Sequence, residues 1–143
     1  VAHSAISIEL GSWEALREIA TPIRFAVFVR EQKVPAEIEL DDWDAKSLHA
    51  IARDAGGAAV GTGRLLPDGH IGRMAVLASA RGTGVGTALL RALMNAARER
   101  GMRNIELSAQ THAVPFYERE GFEAYGNAYM DAGIPHRTMR KAL

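Results

Sequence analysis

The stretch that most constrains the fold is Ile71-Gly72-Arg73-Met74-Ala75-Val76, a short loop, and then Arg81-Gly82-Thr83-Gly84-Val85-Gly86-Thr87 at the head of a long apolar-faced segment. The first run reads as a strand closing at Val76, and Thr87 to Arg100 reads as a helix. Between them Gly82, Gly84 and Gly86 stand at alternate positions and leave the backbone bare. A helix start with exposed N–H groups and no side chains in the way suits a phosphate or pyrophosphate, and the helix dipole adds attraction for negative charge. Arg81 adds a cation at the edge. The plainer alternative is a glycine-rich turn entering a helix.

Three phosphate-loop patterns compete for this stretch. The Walker pattern needs a lysine and then Ser or Thr after its last glycine; Gly86 is followed by Thr87 and Ala88. The dinucleotide pattern needs G-x-G-x-x-G, and Thr87 stands where the third glycine belongs. No acid follows at the end of the next strand to hold a ribose, since Glu106 lies inside it. The third pattern, Arg/Gln-x-x-Gly-x-Gly/Ala, is met by Arg81, Gly84 and Gly86.

At 143 residues the chain has room for one domain with a real core and too little for two, so residues 1–143 are expected to form a single domain. Seventeen basic residues balance seventeen acidic ones, which argues against nucleic acid as a partner, and no basic run marks a DNA or membrane patch. Cysteine is absent, which removes disulfides, a thiol nucleophile and thiolate metal sites and suits a reducing, cytoplasmic setting. No apolar run approaches a membrane span, and no basic start with an apolar stretch marks a signal peptide. The chain opens at Val1, which suits a trimmed start. Five scattered histidines show no metal-ligand spacing, so no metal is expected.

In chain order, Ala5 to Leu10 alternates like a half-buried strand, which Gly11-Ser12 should break. Ser12 can cap a helix carrying Trp13, Leu16, Ile19 and Ala20. Pro22 is expected to open a second helix capped by Thr21, with Phe25, Phe28 and Val29 on its apolar face. Glu37 to Asp44 is an acidic loop with Ile38, Leu40 and Trp43 interleaved; it is either a solvated face or a wall that attracts an amine. Strands follow at Leu48–Arg53, Ala59–Leu66 and Ile71–Val76, paired antiparallel through turns, and Gly61 and Gly63 signal close backbone approach or a bulge. The next helix buries Val85, Leu89, Ala92, Leu93 and Ala96 and stops at Gly101. Then come a strand at Ile105–Ala109, a short helix with Pro115, Phe116 and Tyr117 ending at Gly121, a strand at Phe122–Tyr125, a loop at Met130–Pro135 and a last strand at Thr138–Leu143.

These motifs resemble the GCN5-related N-acetyltransferase family. The glycine loop matches its pyrophosphate loop. Downstream, Gln110, Ala113, Phe116-Tyr117-Glu118 and Gly121-Phe122 fall at the spacing of its second signature, with Gln110 where Asn is usual. The match runs from about Val60 to Tyr125. Phe28-Val29-Arg30-Glu31-Gln32, Val34-Pro35, Gly61-Thr62-Gly63-Arg64-Leu65 and Gly133-Ile134-Pro135-His136 resemble the ElaA/YjcF-like subgroup and extend the likeness over nearly the whole chain. The resemblance implies an α+β fold, a three-layer α/β/α sandwich whose mixed, mostly antiparallel central sheet contains a splayed strand pair.

The same resemblance implies direct attack of an amine on the thioester of acetyl-coenzyme A. The cosubstrate would be held by Arg81, Gly82, Thr83, Gly84, Val85, Gly86 and Thr87, with Gln110 on the pantetheine arm. A backbone N–H among Met74, Ala75 and Val76 would polarise the carbonyl, freed by a bulge where that strand splays from the Ile105 strand. Tyr117 stands at the family's general-acid position, and the alternative is a plain core aromatic. A thiol near ~8.5 and a phenol near ~10 make full proton transfer uphill by about 2 kcal/mol, so a tightening hydrogen bond suffices. A lysine-like amine at neutral pH must give up a proton at a cost of about 4.6 kcal/mol and an α-amine about 1 kcal/mol. Glu39 is the first candidate base and His136 the second, ahead of Asp41 and His49; Arg30, Arg64 and Arg73 read as structural or substrate-orienting cations.

The leading expectation is an acetyl-coenzyme A-dependent N-acetyltransferase acting on a primary amine of a small molecule or peptide. The alternatives are a non-catalytic acyl-coenzyme A-binding or sensor domain of the same fold, and a nucleotide-binding protein using the glycine loop. A homodimer is compatible with an exposed strand edge or helix face, although no stretch specifies one.

Overall fold

A computed structural model describes residues 5–143. Its elements begin with β1 (Ser7–Ser12), α1 (Trp13–Arg24), a π-helical turn (Phe25–Glu31) and a short α2 (Ala36–Glu39). Three strands follow, β2 (Leu48–Arg53), β3 (Ala59–Leu65) and β4 (His70–Val76), and then α3 (Val85–Glu99). The chain closes with β5 (Asn104–Gln110), α4 (Val114–Arg119), β6 (Glu123–Asp131) and β7 (Ile134–Ala142). The seven strands form one sheet in the order β1-β2-β3-β4-β5-β7-β6. All pairings are antiparallel except β4 with β5.

Period-2 alternation on β2 sorts the two helical layers. Ile51 packs with Leu16 and Ala20 of α1, while its neighbours Ala50 and Ala52 join the cluster built by Leu89, Leu90 and Leu93 of α3. Phe122 and the partly buried Phe116 and Tyr117 belong to that second cluster, so α3 and α4 cover one face and α1 the other. The glycines of β3 let α3 come close. A Cβ on Gly61 would lie 2.9 Å from both Leu89 Cδ1 and Val85 Cγ1. This is the close approach that the sequence signals.

Three local readings are corrected. Gly11 does not break β1, which runs through Ser12; Ser12 still caps α1, accepting from the Ala15 N–H at 3.2 Å. Pro22 does not start a new helix but sits inside α1, which passes straight into the π-helical turn. Burial of Leu16, Ala20, Ile23 and Val27 holds the run together, and the wider turn lets Gln32 N–H reach the Val27 carbonyl at 3.1 Å. Met130–Pro135 is no loop: β6 and β7 continue through it as one hairpin that turns on Ala132 (φ 51°) and Gly133 (φ 77°). Two successive positive φ values are the signature of a two-residue type I′ turn, the tight connection whose twist matches its strands.

Candidate active site

β4 and β5 run side by side at only two register positions, His70 with Glu106 and Ile71 with Leu107, and no further pairing joins them among the described residues. On its other edge β4 bulges. Arg64 faces Gly72 and Thr62 faces Ala75, so Arg73 and Met74 together oppose Gly63. Arg73 takes the left-handed conformation (φ 49°), as a bulge residue does. The sequence expects a bulge where β4 splays from β5; it falls just past that point but on the β3 edge, and Gly72, Arg73 and Met74 border an open cleft. The cleft, about 380 Å³, is lined by Phe28, Gln32, Met74, Gln110, Tyr117 and His136 among others.

At the top of β4 the glycine loop leads into α3. Gly82 and Gly84 have φ of 76° and 89°, a conformation that disfavours any side chain, and Gly84 is the N-cap. The first N–H to bond within the helix is that of Ala88, to the Gly84 carbonyl at 3.0 Å. The N–H groups of Val85, Gly86 and Thr87 therefore belong to the unpaired first turn. A Cβ on Gly82 would meet nothing within 4 Å, and one on Gly86 would come no closer than 3.7 Å to Phe116. A bare, dipole-aligned set of donors fits a pyrophosphate. Arg81 behaves otherwise than its sequence position suggests: Nε donates to the Val76 carbonyl at 3.0 Å and Nη2 to Glu31 at 2.9 Å, so it clamps the end of β4 to the π-helical turn.

Tyr117 is half-buried, edge-on to Phe116 and Phe122 at 5.0 and 6.0 Å. Burial alone pushes its hydroxyl up to about 12. His136 is buried on β7 opposite Gln110, is stacked on Tyr129 at 6.0 Å, and has Nδ1 2.7 Å from the Ile134 carbonyl. A carbonyl accepts, so Nδ1 is the donor and Nε2 is the nitrogen left free to exchange a proton. Gln110 donates to the Gln32 side chain at 2.9 Å across the cleft.

Glu39 is not presented as a free base. It is 2 % exposed, with Oε2 at 2.7 Å from Arg24 and 3.4 Å from Arg73. Burial raises its carboxyl above the ordinary range despite the hydrogen bond from Arg24. Asp41 is held too: Arg64 donates to both its oxygens, at 2.7 and 3.0 Å, and that bond lowers its carboxyl. His49 lies under Trp13, with Nε2 2.8 Å from the Asp44 carbonyl, and burial lowers its affinity for a proton. Arg24, Arg64 and Arg73 with Glu39, Asp41 and Asp44 make one balanced network of three cations and three anions. Glu39, Asp41 and Asp44 of the acidic stretch thus form a paired wall behind the bulge. Among the described residues no group of three or more His, Asp and Glu side chains is placed to hold a metal ion.

A mixed sheet opened between two parallel strands, with a bare helix start at the mouth, defines the class of acyl-coenzyme A N-acyltransferases. Residues 17–143 match the acetyltransferase (GNAT) domain model, and the chain belongs to that family. It is 43 % identical over 123 residues to the uncharacterized N-acetyltransferase YjcF of Bacillus subtilis, covering 83 % of this chain and 87 % of YjcF. An acyl-CoA N-acyltransferase from Pseudomonas aeruginosa superposes with a TM-score of 0.85 at 31 % identity, over 96 % of this chain and 99 % of that one. Escherichia coli ElaA does so with a TM-score of 0.82 at 26 % identity, over 95 % and 99 %. The chain is accordingly an acetyl-coenzyme A-dependent N-acetyltransferase with the family's mixed sheet, and among the described residues no helix is long and apolar enough to cross a membrane.

Proposed function

We propose that this chain, as a single cytoplasmic domain, moves the acetyl group of acetyl-coenzyme A onto the primary amine of a small molecule or peptide by direct attack in the β4–β5 cleft. The observation that carries the reading is the divergence of β4 and β5 after Ile71 and Leu107, beside the unpaired first turn of α3. Acetyl-coenzyme A supplies the acyl group as a thioester; the amine nitrogen bonds to the acyl carbon while the carbon–sulfur bond breaks.

The N–H groups of Val85 to Thr87 bind the pyrophosphate, and the positive φ of Gly82 and Gly84 keeps the approach bare. Gln110 turns its amide from Gln32 to the pantetheine arm. A backbone N–H in Met74–Val76 faces the acyl oxygen, fixed in place by the Arg81 bond to Val76. Tyr117 donates a hydrogen bond to the departing sulfur. With its hydroxyl near 12 and a thiol near ~8.5, complete transfer would be uphill by about 5 kcal/mol, so the phenol keeps its proton and solvent completes the exchange. His136 takes the proton from the incoming ammonium at Nε2, since Nδ1 is committed to Ile134. This assigns to His136 the role that burial and pairing deny to Glu39.

Calorimetric titration with acetyl-coenzyme A, with coenzyme A and ATP as controls, tests the binding half; release of free thiol with a panel of amines tests transfer. Micromolar binding of acetyl-coenzyme A and amine-dependent thiol release are expected. Tight ATP binding in place of coenzyme A would overturn the reading.

A further inference from the structure

Beside the main cleft lies a second cavity of about 130 Å³, and the two share Phe28, Gln32, Arg73, Gln110, Asp131 and His136. The shared residues include three charged or titratable side chains, and they differ in one respect. Arg73 is spoken for by Glu39 and Asp41, and His136 Nδ1 by a backbone carbonyl. Asp131 is in no ion pair among the described residues.

The other arginine of the main cleft, Arg64, is neutralised by Asp41 and Asp44, and its one unpartnered nitrogen, Nε, is shut off from solvent. Glu39 in the small cavity is neutralised by Arg24. Asp131 is therefore the carboxylate these cavities offer with no cation against it, and neither offers an uncompensated arginine or lysine. The remaining wall of the small cavity is apolar, formed by Val34, Ile38, Ala132 and Ile134. The hairpin places the residue: Asp131 pairs with Ile134 in the last register position, immediately before the two left-handed turn residues.

We infer that Asp131 reads the acceptor: the small cavity takes an alkylammonium chain lacking a carboxylate, and Asp131 binds its cationic end. The inference rests on the acceptor entering the cleft as proposed above. A carboxylate-bearing amine, such as an amino acid, would bring a second anion to Asp131 and find no free cation in either cavity. Two like charges brought together repel, and a carboxylate that gives up water for the apolar wall without gaining a cation is disfavoured. A carboxylate pressed against the reacting nitrogen would hold it protonated, so Asp131 serves best at the far end of a diamine, leaving the near amine to His136.

The matched probes are 1,4-diaminobutane and ornithine, which is the same diamine carrying one carboxylate. Calorimetric titration of the coenzyme A-loaded protein should show the diamine at least tenfold tighter. Asp131→Asn should bring the two within threefold, and Asp131→Glu should restore most of the preference. Coenzyme A affinity should be the same in all three proteins, which controls for folding. Equal binding of the probes by the wild type, a preference that survives Asp131→Asn, or no binding of the diamine would overturn the inference. Thiol release separates it from the acetyl-transfer reading. Asp131-dependent diamine binding without thiol release would sink the transfer and leave Asp131 its role. Release with ornithine that Asp131→Asn does not slow would do the reverse.

Discussion

Gln110 Nε2 and Gln32 Oε1 are 2.9 Å apart, joining the end of β5 to the end of the π-helical turn across the mouth of the cleft. The pantetheine arm proposed to enter there must take over one amide from the other. A neutral hydrogen bond is worth about 1 kcal/mol net, or about fivefold in affinity. Gln110→Ala is expected to weaken coenzyme A binding by about that factor. Gln32→Ala should leave binding unchanged or slightly tighter, because it releases Gln110. Calorimetry on the two variants distinguishes a cosubstrate contact from a purely structural bridge.

Tyr117→Phe keeps the edge-on packing with Phe116 and Phe122 and removes only the hydroxyl. Turnover should fall at least tenfold, with coenzyme A affinity within twofold of wild type. The activity of the wild type should show no loss from Tyr117 ionisation below about pH 10, since burial holds the phenol near 12. A variant as fast as wild type would remove the hydroxyl from the chemistry.

His136→Asn and Glu39→Gln should part company. His136→Asn should lower kcat at least tenfold and flatten the pH dependence of kcat/KM, because the Nε2 lone pair is lost. Glu39→Gln should lower stability by disturbing the Arg24 pairing while leaving the shape of the pH profile unchanged. Steady-state rates across pH, with a urea melt of each variant, check both halves. An altered profile in Glu39→Gln alone would return the base to Glu39.

Arg24 is 1 % exposed and holds both Glu39 and Asp44. Arg24→Met leaves two buried acids short of a partner and should cost about 3–5 kcal/mol, read from urea unfolding. The acid side of the stability curve follows from the same pairs. Arg64 lowers Asp41, and for Asp44 the bonds from Arg24 and the Asp41 backbone outweigh burial, so both carboxyls sit below their unfolded values near ~3.9. Such groups stabilise the fold above that pH and lose their contribution as pH falls through the lower folded values. Glu39 is raised and works in the opposite sense, favouring the fold less as pH rises past its unfolded value. Asp41→Asn should therefore show a shallower loss of stability below about pH 4 than the wild type.

Gly61→Ala and Gly63→Ala differ by one methyl each and should differ in cost. At Gly61 the new carbon would press on Leu89 and Val85 at 2.9 Å and on the Ala75 carbonyl at 3.2 Å, which backbone and packed helix cannot readily yield. Overpacking of this kind costs about 1–3 kcal/mol. At Gly63 the closest atom is Met74 Sδ at 2.7 Å, on a flexible thioether, with Leu93 at 3.0 Å. Gly63→Ala should be the milder in stability, but it should raise KM for the acceptor because Met74 lines the cleft.

What could be read in the sequence was local. The glycine spacing of 82, 84 and 86 and the apolar stripe of α3 depend on neighbours a few residues away, and the loop and helix stand where those patterns put them. Pro22 was misleading because its cost is set against the burial of Leu16, Ala20 and Ile23, which only the sheet supplies. Pro135 is compatible with the strand although proline cannot donate to a ladder. It lies one residue before His136, the first β7 residue with a β5 partner, where no such bond is required. The pairing of Glu39 is hidden for a different reason: its partners Arg24 and Arg73 are 15 and 34 positions away, and charge pairing over that distance leaves no trace in composition or period. Asp131 carried no sequence signal beyond a turn-like neighbourhood, and it is visible only once the cations around it are seen to be taken.

The β6–β7 hairpin turn has a bearing on how such a chain diversifies. Asp131, Ala132 and Gly133 are exposed, whereas the sheet is anchored by buried residues further down, such as Met139. Exchanges at the tip can re-aim or recharge the acceptor cavity while the core, the glycine loop and the paired acidic wall keep their contacts. Selection can thus explore new acceptors at little cost to foldability, with positions 132 and 133 constrained because the turn needs positive φ at both.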